Sequence, residues 1–75
     1  MTDFNTAQYA FKNAVSLFND NNLNESIEQL NEILKIHPNH DKSLDLLGII
    51  YIKQNEADKA LKVINKSIQI NKDIK

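Results

Sequence analysis

Two histidines, His37 and His40, flank Pro38-Asn39. Imidazoles so spaced, with acids nearby, are the raw material of a metal site. Their place in a proline-containing turn reads instead as two solvated turn residues. Glu25, Glu28 and Glu32 are spaced to share one face of a helix. Carboxylates do acid–base work where a pocket shifts a carboxyl pKa, and an open helix face offers none. Lys59, Lys62 and Lys66 form the matching basic face, each 34 residues further on. The chain has no cysteine, so neither a thiolate nucleophile nor a disulfide is available. Gly48 is its single glycine, which excludes a glycine-rich phosphate loop, and no Ser-His-Asp set stands out. These residues predict a protein without catalysis, cofactor or metal.

The elements that carry them are set by a repeat. Shifting the sequence by 34 places Asn21 on Asn55, Asn31 on Asn65 and Ile36 on Ile70. Apolar positions coincide around these identities: Val15 with Ile49, Phe18 with Ile52, Leu30 with Ile64, Leu34 with Ile68. A fixed period of tens of residues signals stacked supersecondary units, which build surfaces that hold other molecules. With 75 residues the chain suits one small domain, 1–75, of low stability.

Charge is unevenly spread. Residues 1–34 carry one lysine and five acids, a balance of −4, and residues 35–75 carry eight lysines and five acids, a balance of +3. The simpler reading of this asymmetry is chance plus the matching of charges to helix dipoles, and the sharper one is head-to-tail association of opposite ends. All nine basic residues are lysine, which argues against a nucleic-acid groove, where arginine's planar fork is usual. The N-terminus lacks the basic start and apolar run of a signal peptide. No apolar stretch approaches the ~18 residues of a membrane span. The expectation is a soluble, cytoplasmic protein without membrane or nucleic-acid partners.

One glycine and one proline in the whole chain favour long helices joined by short turns. Ala7, Ala10, Phe11, Ala14, Val15, Leu17 and Phe18 recur at helical spacing, and Asn5 with Gln8 predicts a start near Thr6. Asn19-Asp20-Asn21-Asn22 ends this helix, since asparagine tolerates the left-handed conformation of helix ends. Asn22 and Glu25 predict a capping box for a second helix through Ile36, stopped at His37-Pro38. A third helix is expected from Asp41, capped by Asn39 or Asp41, to about Gln54. A fourth runs from about Glu56 to Asn71, after a turn at Asn55. Leu46–Ile52 is rich in β-branched residues, but its flanks and length favour helix.

This helix–turn–helix pattern resembles the tetratricopeptide repeat. The family motif reads here as Leu44, Leu47-Gly48, Tyr51, Ala60 and Ile64, with Lys72 in place of the expected proline. The first copy reads Ala10, Asn13-Ala14, Leu17, Ser26, Leu30 and Pro38, and departs from the motif at Asn13 and Ser26. The resemblance implies an all-α short α-solenoid of two tetratricopeptide-like repeats, about 7–40 and 41–74, with four antiparallel helices. Gly48 and Ala60 would let the two helices of one hairpin approach closely.

In this family the first helix of each repeat lines the inner face. The resemblance therefore assigns Gln8, Phe11, Lys12, Val15, Phe18 and Asn19 on one helix, and Lys42, Asp45, Ile49, Ile52 and Lys53 on another, to a partner-binding surface, the alternative being that Phe11, Val15, Phe18, Ile49 and Ile52 pack against one another between the repeats. It implies a non-catalytic module that binds a protein or peptide partner, or self-associates, through its inner helix faces. Members that bind chaperones grip a terminal carboxylate with lysine and asparagine. The corresponding places hold Phe11, Val15 and Leu46, so that activity is not expected. The stretch from Ile36 to Asn71 is also similar to repeats that precede catalytic domains in bacterial glycosyltransferases and methyltransferases, which makes an accessory module of such an enzyme the alternative. RNA binding of the pentatricopeptide kind is disfavoured by the acidic first half and the lack of arginine. Apolar residues crowd the fourth helix at Leu61, Val63, Ile64, Ile68 and Ile70, with only four residues after Asn71. An apolar face at an open end predicts a homo-oligomer.

Overall fold

The computed structural model describes residues 4–73. They form four helices: α1 (Phe4–Asn19), α2 (Leu23–Ile36), α3 (Asp41–Lys53) and α4 (Ala57–Asp73). Among the described residues there is no strand, and Leu46–Ile52 lies inside α3. No helix is long and apolar enough to cross a membrane. The chain divides between Pro38 and Asn39 into two compact units, α1 packed on α2 and α3 packed on α4. The expectations that fell on residues 1–3 and 74–75 lie outside the described residues.

Both hairpins turn in the same way, 34 residues apart. Asn21 and Asn55 are the non-glycine residues with positive φ, at 65° and 61°. In the first turn the Asn21 N–H donates to the Phe18 carbonyl at 3.0 Å and the Asn22 N–H to the Leu17 carbonyl at 2.8 Å. In the second, Asn55 donates to Ile52 at 3.0 Å and Glu56 to Tyr51 at 2.8 Å. This pair of bonds is the Schellman motif, with asparagine supplying the left-handed residue. The next helix starts at once: Ser26 and Ala60 donate back to the carbonyls of Asn22 and Glu56, each at 3.0 Å.

That economy corrects two expected caps. Asn22 stands at the N-cap of α2, but its side chain makes no capping bond. Its N–H closes the preceding helix, and its backbone (φ −88°, ψ 69°) departs from the extended conformation that directs a capping side chain. For α3 the cap is His40, not Asn39 or Asp41. His40 has extended backbone, and its Nδ1 accepts the Ser43 N–H at 3.3 Å and lies 2.7 Å from the Ser43 hydroxyl. Asp41 is already helical. Ends differ from expectation by one or two residues elsewhere, where frayed turns leave the boundary soft. Phe4 opens α1 ahead of Asn5, Lys53 closes α3, and α4 runs from Ala57 to Asp73.

The two hairpins solve the close approach of their helices differently. In the second, an added Cβ on Gly48 would sit 2.8 Å from Ile64 Cγ1 and 3.2 Å from Ile64 Cδ1. A side chain at position 48 would force the Ile64 side chain to shift. In the first hairpin the same register holds Ala14 and Leu30, both fully buried. Ser26 stands where the second hairpin has Ala60, and its buried hydroxyl donates to the Ala14 carbonyl at 2.8 Å. A polar residue in the core is thereby satisfied, as burial demands.

Replacing Gly48 by Leu should overpack the α3–α4 contact at a cost of about 1–3 kcal/mol, read as a fall of several degrees in thermal midpoint. A midpoint equal to that of the parent would contradict the approach of Gly48 to Ile64. Removing the cap of α3 with His40→Ala should cost about 1 kcal/mol, and His40→Asn should recover most of it. Equal losses for both in urea denaturation would show that the imidazole contributes something other than capping.

Candidate functional site

On α3 the residues assigned to the partner surface all reach solvent. Lys42, Asp45, Ile49, Ile52 and Lys53 are exposed, Ile49 at 49% and Ile52 at 58%. The rest of the helix explains their conspicuousness. Ser43, Leu44, Leu46, Leu47, Gly48 and Ile50 are buried, so α3 is enclosed on every side but this one. Positions 42, 45, 49, 52 and 53 lie within about a third of the helix circumference at ~100° per residue. They present two isoleucines between two lysines and a carboxylate.

The corresponding stripe on α1 differs. Phe11, Val15 and Phe18 are half-buried, while Gln8, Lys12 and Asn19 are exposed. The aromatic rings of α1 thus offer less free surface than the isoleucines of α3.

Asp45 is not free to swing. The Ser67 hydroxyl, on α4, lies 2.8 Å from Asp45 Oδ1 and 2.7 Å from Asp41 Oδ1, and donates its single proton between the two carboxylates. Ser67 is buried, Asp41 half-buried and Asp45 exposed. The cluster ties the start of α3 to α4 and fixes the carboxylate in the middle of the stripe. Sequence reasoning missed it, although the register held the signal. A shift of 34 sets Ser67 on Ile33, Asp41 on Ala7 and Asp45 on Phe11, so three apolar positions become polar together. Two carboxylates and a hydroxyl do not make a metal site, and among the described residues no group of three or more histidines, cysteines or acids does so.

The histidines serve the backbone. His40 caps α3, and the His37 N–H closes α2 on the Ile33 carbonyl at 2.8 Å. Glu25, Glu28, Lys62 and Lys66 are exposed on open helix faces. Glu32 pairs with Lys35 at 3.4 Å, with both side chains largely in water, where such a pair contributes little. Lys59 sits 5.8 Å from the centre of the Tyr51 ring.

A second feature unforeseen from the sequence is a pocket of about 120 Å³ at one end of the first hairpin. Ala7 and Ala10 from α1 and Ile33 and Ile36 from α2 form its apolar wall, beside Glu32 and His37. Its origin is again a matter of register. Ala10 stands where the second hairpin has the larger Leu44, which is 2% exposed.

The family model for the tetratricopeptide repeat matches residues 41–74, which span α3, its turn and α4. No curated protein and no solved structure matches the chain.

Removing the Ser67 hydroxyl with Ser67→Ala should cost on the order of 1 kcal/mol, since both carboxylates keep access to water. In an Asp41→Asn, Asp45→Asn background the same change should cost less. Additive losses in this double-mutant cycle would show that the hydroxyl and the carboxylates do not act together.

Proposed function

We propose that this chain, whose second hairpin matches the family model for the tetratricopeptide repeat, is a non-catalytic module that binds a protein segment on the exposed stripe of α3. The observation that carries this reading is the pair Ile49 and Ile52. They are large apolar side chains about half in water on a helix whose other faces are buried. A contiguous apolar patch rimmed by charge is the usual mark of a protein-binding surface. Lys42, Lys53 and the pinned carboxylate of Asp45 frame the patch. They favour a segment that brings an apolar side chain together with an acid, in helical or extended form. Gln8, Phe11, Lys12, Val15, Phe18 and Asn19 of α1 form a second, less exposed stripe of the same kind. The reading is of adhesion without chemistry.

The test uses selection of displayed peptides on the immobilised chain. Selected ligands should bind the Ile49→Ser, Ile52→Ser variant at least tenfold more weakly, while its helicity by circular dichroism stays near that of the parent. Ligands that bind both proteins equally would remove the stripe from the function. Collapse of helicity in the variant would show that the isoleucines hold the fold together instead.

A further inference from the structure

We propose that the segment bound by the α3 stripe carries a basic side chain, arginine above all, which docks on the carboxylate of Asp45 one helical turn from Ile49. Ser67 is the positioning residue that holds this carboxylate ready. The inference rests on the reading of the stripe given above, and adds a base to the acid and the apolar side chain already argued.

Asp45 combines exposure with a fixed position. Its Oδ1 accepts the hydroxyl of Ser67 at 2.8 Å, and Ser67 itself is 4% exposed. Oδ2 takes no part in that bond. Among the described residues Asp45 has no lysine within ion-pair distance. Lys42 is an exposed, flexible chain, and Lys53 already makes an interaction of its own. The helix itself does not call for a carboxylate at this place. Asp41 meets the dipole in the first turn of α3, and the effect fades beyond that turn. Two acids one turn apart on a face repel each other. Ser67 has a single proton for both, since its Oγ also lies 2.7 Å from Asp41 Oδ1. In the first hairpin the same register holds Phe11, so packing of such a hairpin does not demand an acid. Asp45 therefore presents a charge that lacks its counter-charge, beside two exposed isoleucines.

A base on the bound segment supplies that charge. A guanidinium gives two parallel N–H bonds to a carboxylate, and Oδ2 with the remaining lone pair of Oδ1 matches that fork. Lysine brings the charge without the fork. Ser67 has already oriented the acceptor, so less side-chain freedom is lost on binding. The spacing is set by the helix. Asp45 and Ile49 are four residues apart, ~6 Å along the axis of α3. A segment reaches both when its base and its aliphatic residue are two apart in extended form, or three or four apart in helical form.

The experiment starts from random displayed peptides selected on the immobilised chain. One selected peptide, and the same peptide with its arginine replaced by glutamine, are then measured by fluorescence anisotropy. Selected peptides should carry arginine or lysine at the stated spacing from an aliphatic residue. The replacement should weaken binding to the parent about fivefold. Asp45→Asn should weaken the arginine peptide by the same factor and leave the glutamine peptide unchanged. Ser67→Ala should weaken the arginine peptide about twofold and again spare the glutamine peptide. A general loss of packing would weaken both. Circular dichroism checks that each variant stays helical, and Asp45→Asn, at an exposed position, carries the test if Ser67→Ala does not. Selected peptides without a base at this spacing overturn the inference, as does an Asp45→Asn protein that still prefers the arginine peptide. Equal weakening of both peptides by Ser67→Ala overturns the role of Ser67. In each of these cases peptides that still require Ile49 and Ile52 leave the binding role of the stripe standing. Peptides indifferent to both isoleucines remove the stripe and this inference together.

Discussion

The hairpins depend on one backbone event, the passage of Asn21 and of Asn55 through the left-handed region. A non-glycine residue there carries a steric cost, which asparagine's short polar side chain makes tolerable. The return is a turn so short that the residue closing one helix also opens the next. Asn22 and Glu56 each donate backward to the finished helix and accept from the new one. No slack remains, so the faces that meet are fixed by register alone. A period of 34 residues then makes every position in one hairpin comparable with a position in the other.

That comparison shows one architecture packed by two sets of side chains. Gly48 faces the β-branched Ile64, whose side chain would have to move to admit a Cβ. Ala14 occupies the same register in a hairpin whose corresponding residue is Leu30, and Ser26 is held there by a hydrogen bond to the backbone. At the opposite end of the hairpins the sets diverge further. Ala7, Phe11 and Ile33 give way to Asp41, Asp45 and Ser67, which are joined by hydrogen bonds. Ala10, which gives way to Leu44, is among the residues that line the pocket of the first hairpin. Each difference is a local exchange of contacts at constant topology, as expected where patterning fixes the fold and complementarity refines it.

Most of this architecture was legible because it rests on period and composition. Four helices, their order and both asparagine turns follow from apolar spacing and from the rarity of glycine and proline, and the close approach at Gly48 follows from the resemblance to the tetratricopeptide motif. What escaped depends on partners distant in sequence. Asn22 has the right type for a cap, but its N–H was already committed to Leu17, 5 residues earlier. His40 has a less usual type and caps because its backbone is extended at the helix start. The Ser67 cluster spans 26 and 22 residues to Asp41 and Asp45, and no local pattern reports it. The exposure of Ile49 and Ile52 could not be read from spacing, since their repeat partners Val15 and Phe18 are half-buried under the same pattern.

The energetics of the exposed stripe limit what kind of binding it supports. Ile49 and Ile52 are already about half-buried, at 49% and 58% exposure, so each brings only a fraction of the full transfer energy of its side chain. Full burial of such a side chain is worth about 1.5–3 kcal/mol, so the pair supplies about 2–3 kcal/mol. Flanking lysines add at most about 1 kcal/mol per exposed ion pair. Micromolar affinity needs about 8 kcal/mol after the cost of association has been met. A single contact through this stripe is therefore weak and quickly reversed. Affinity has to come from repetition, in which a second contact becomes intramolecular once the first has formed.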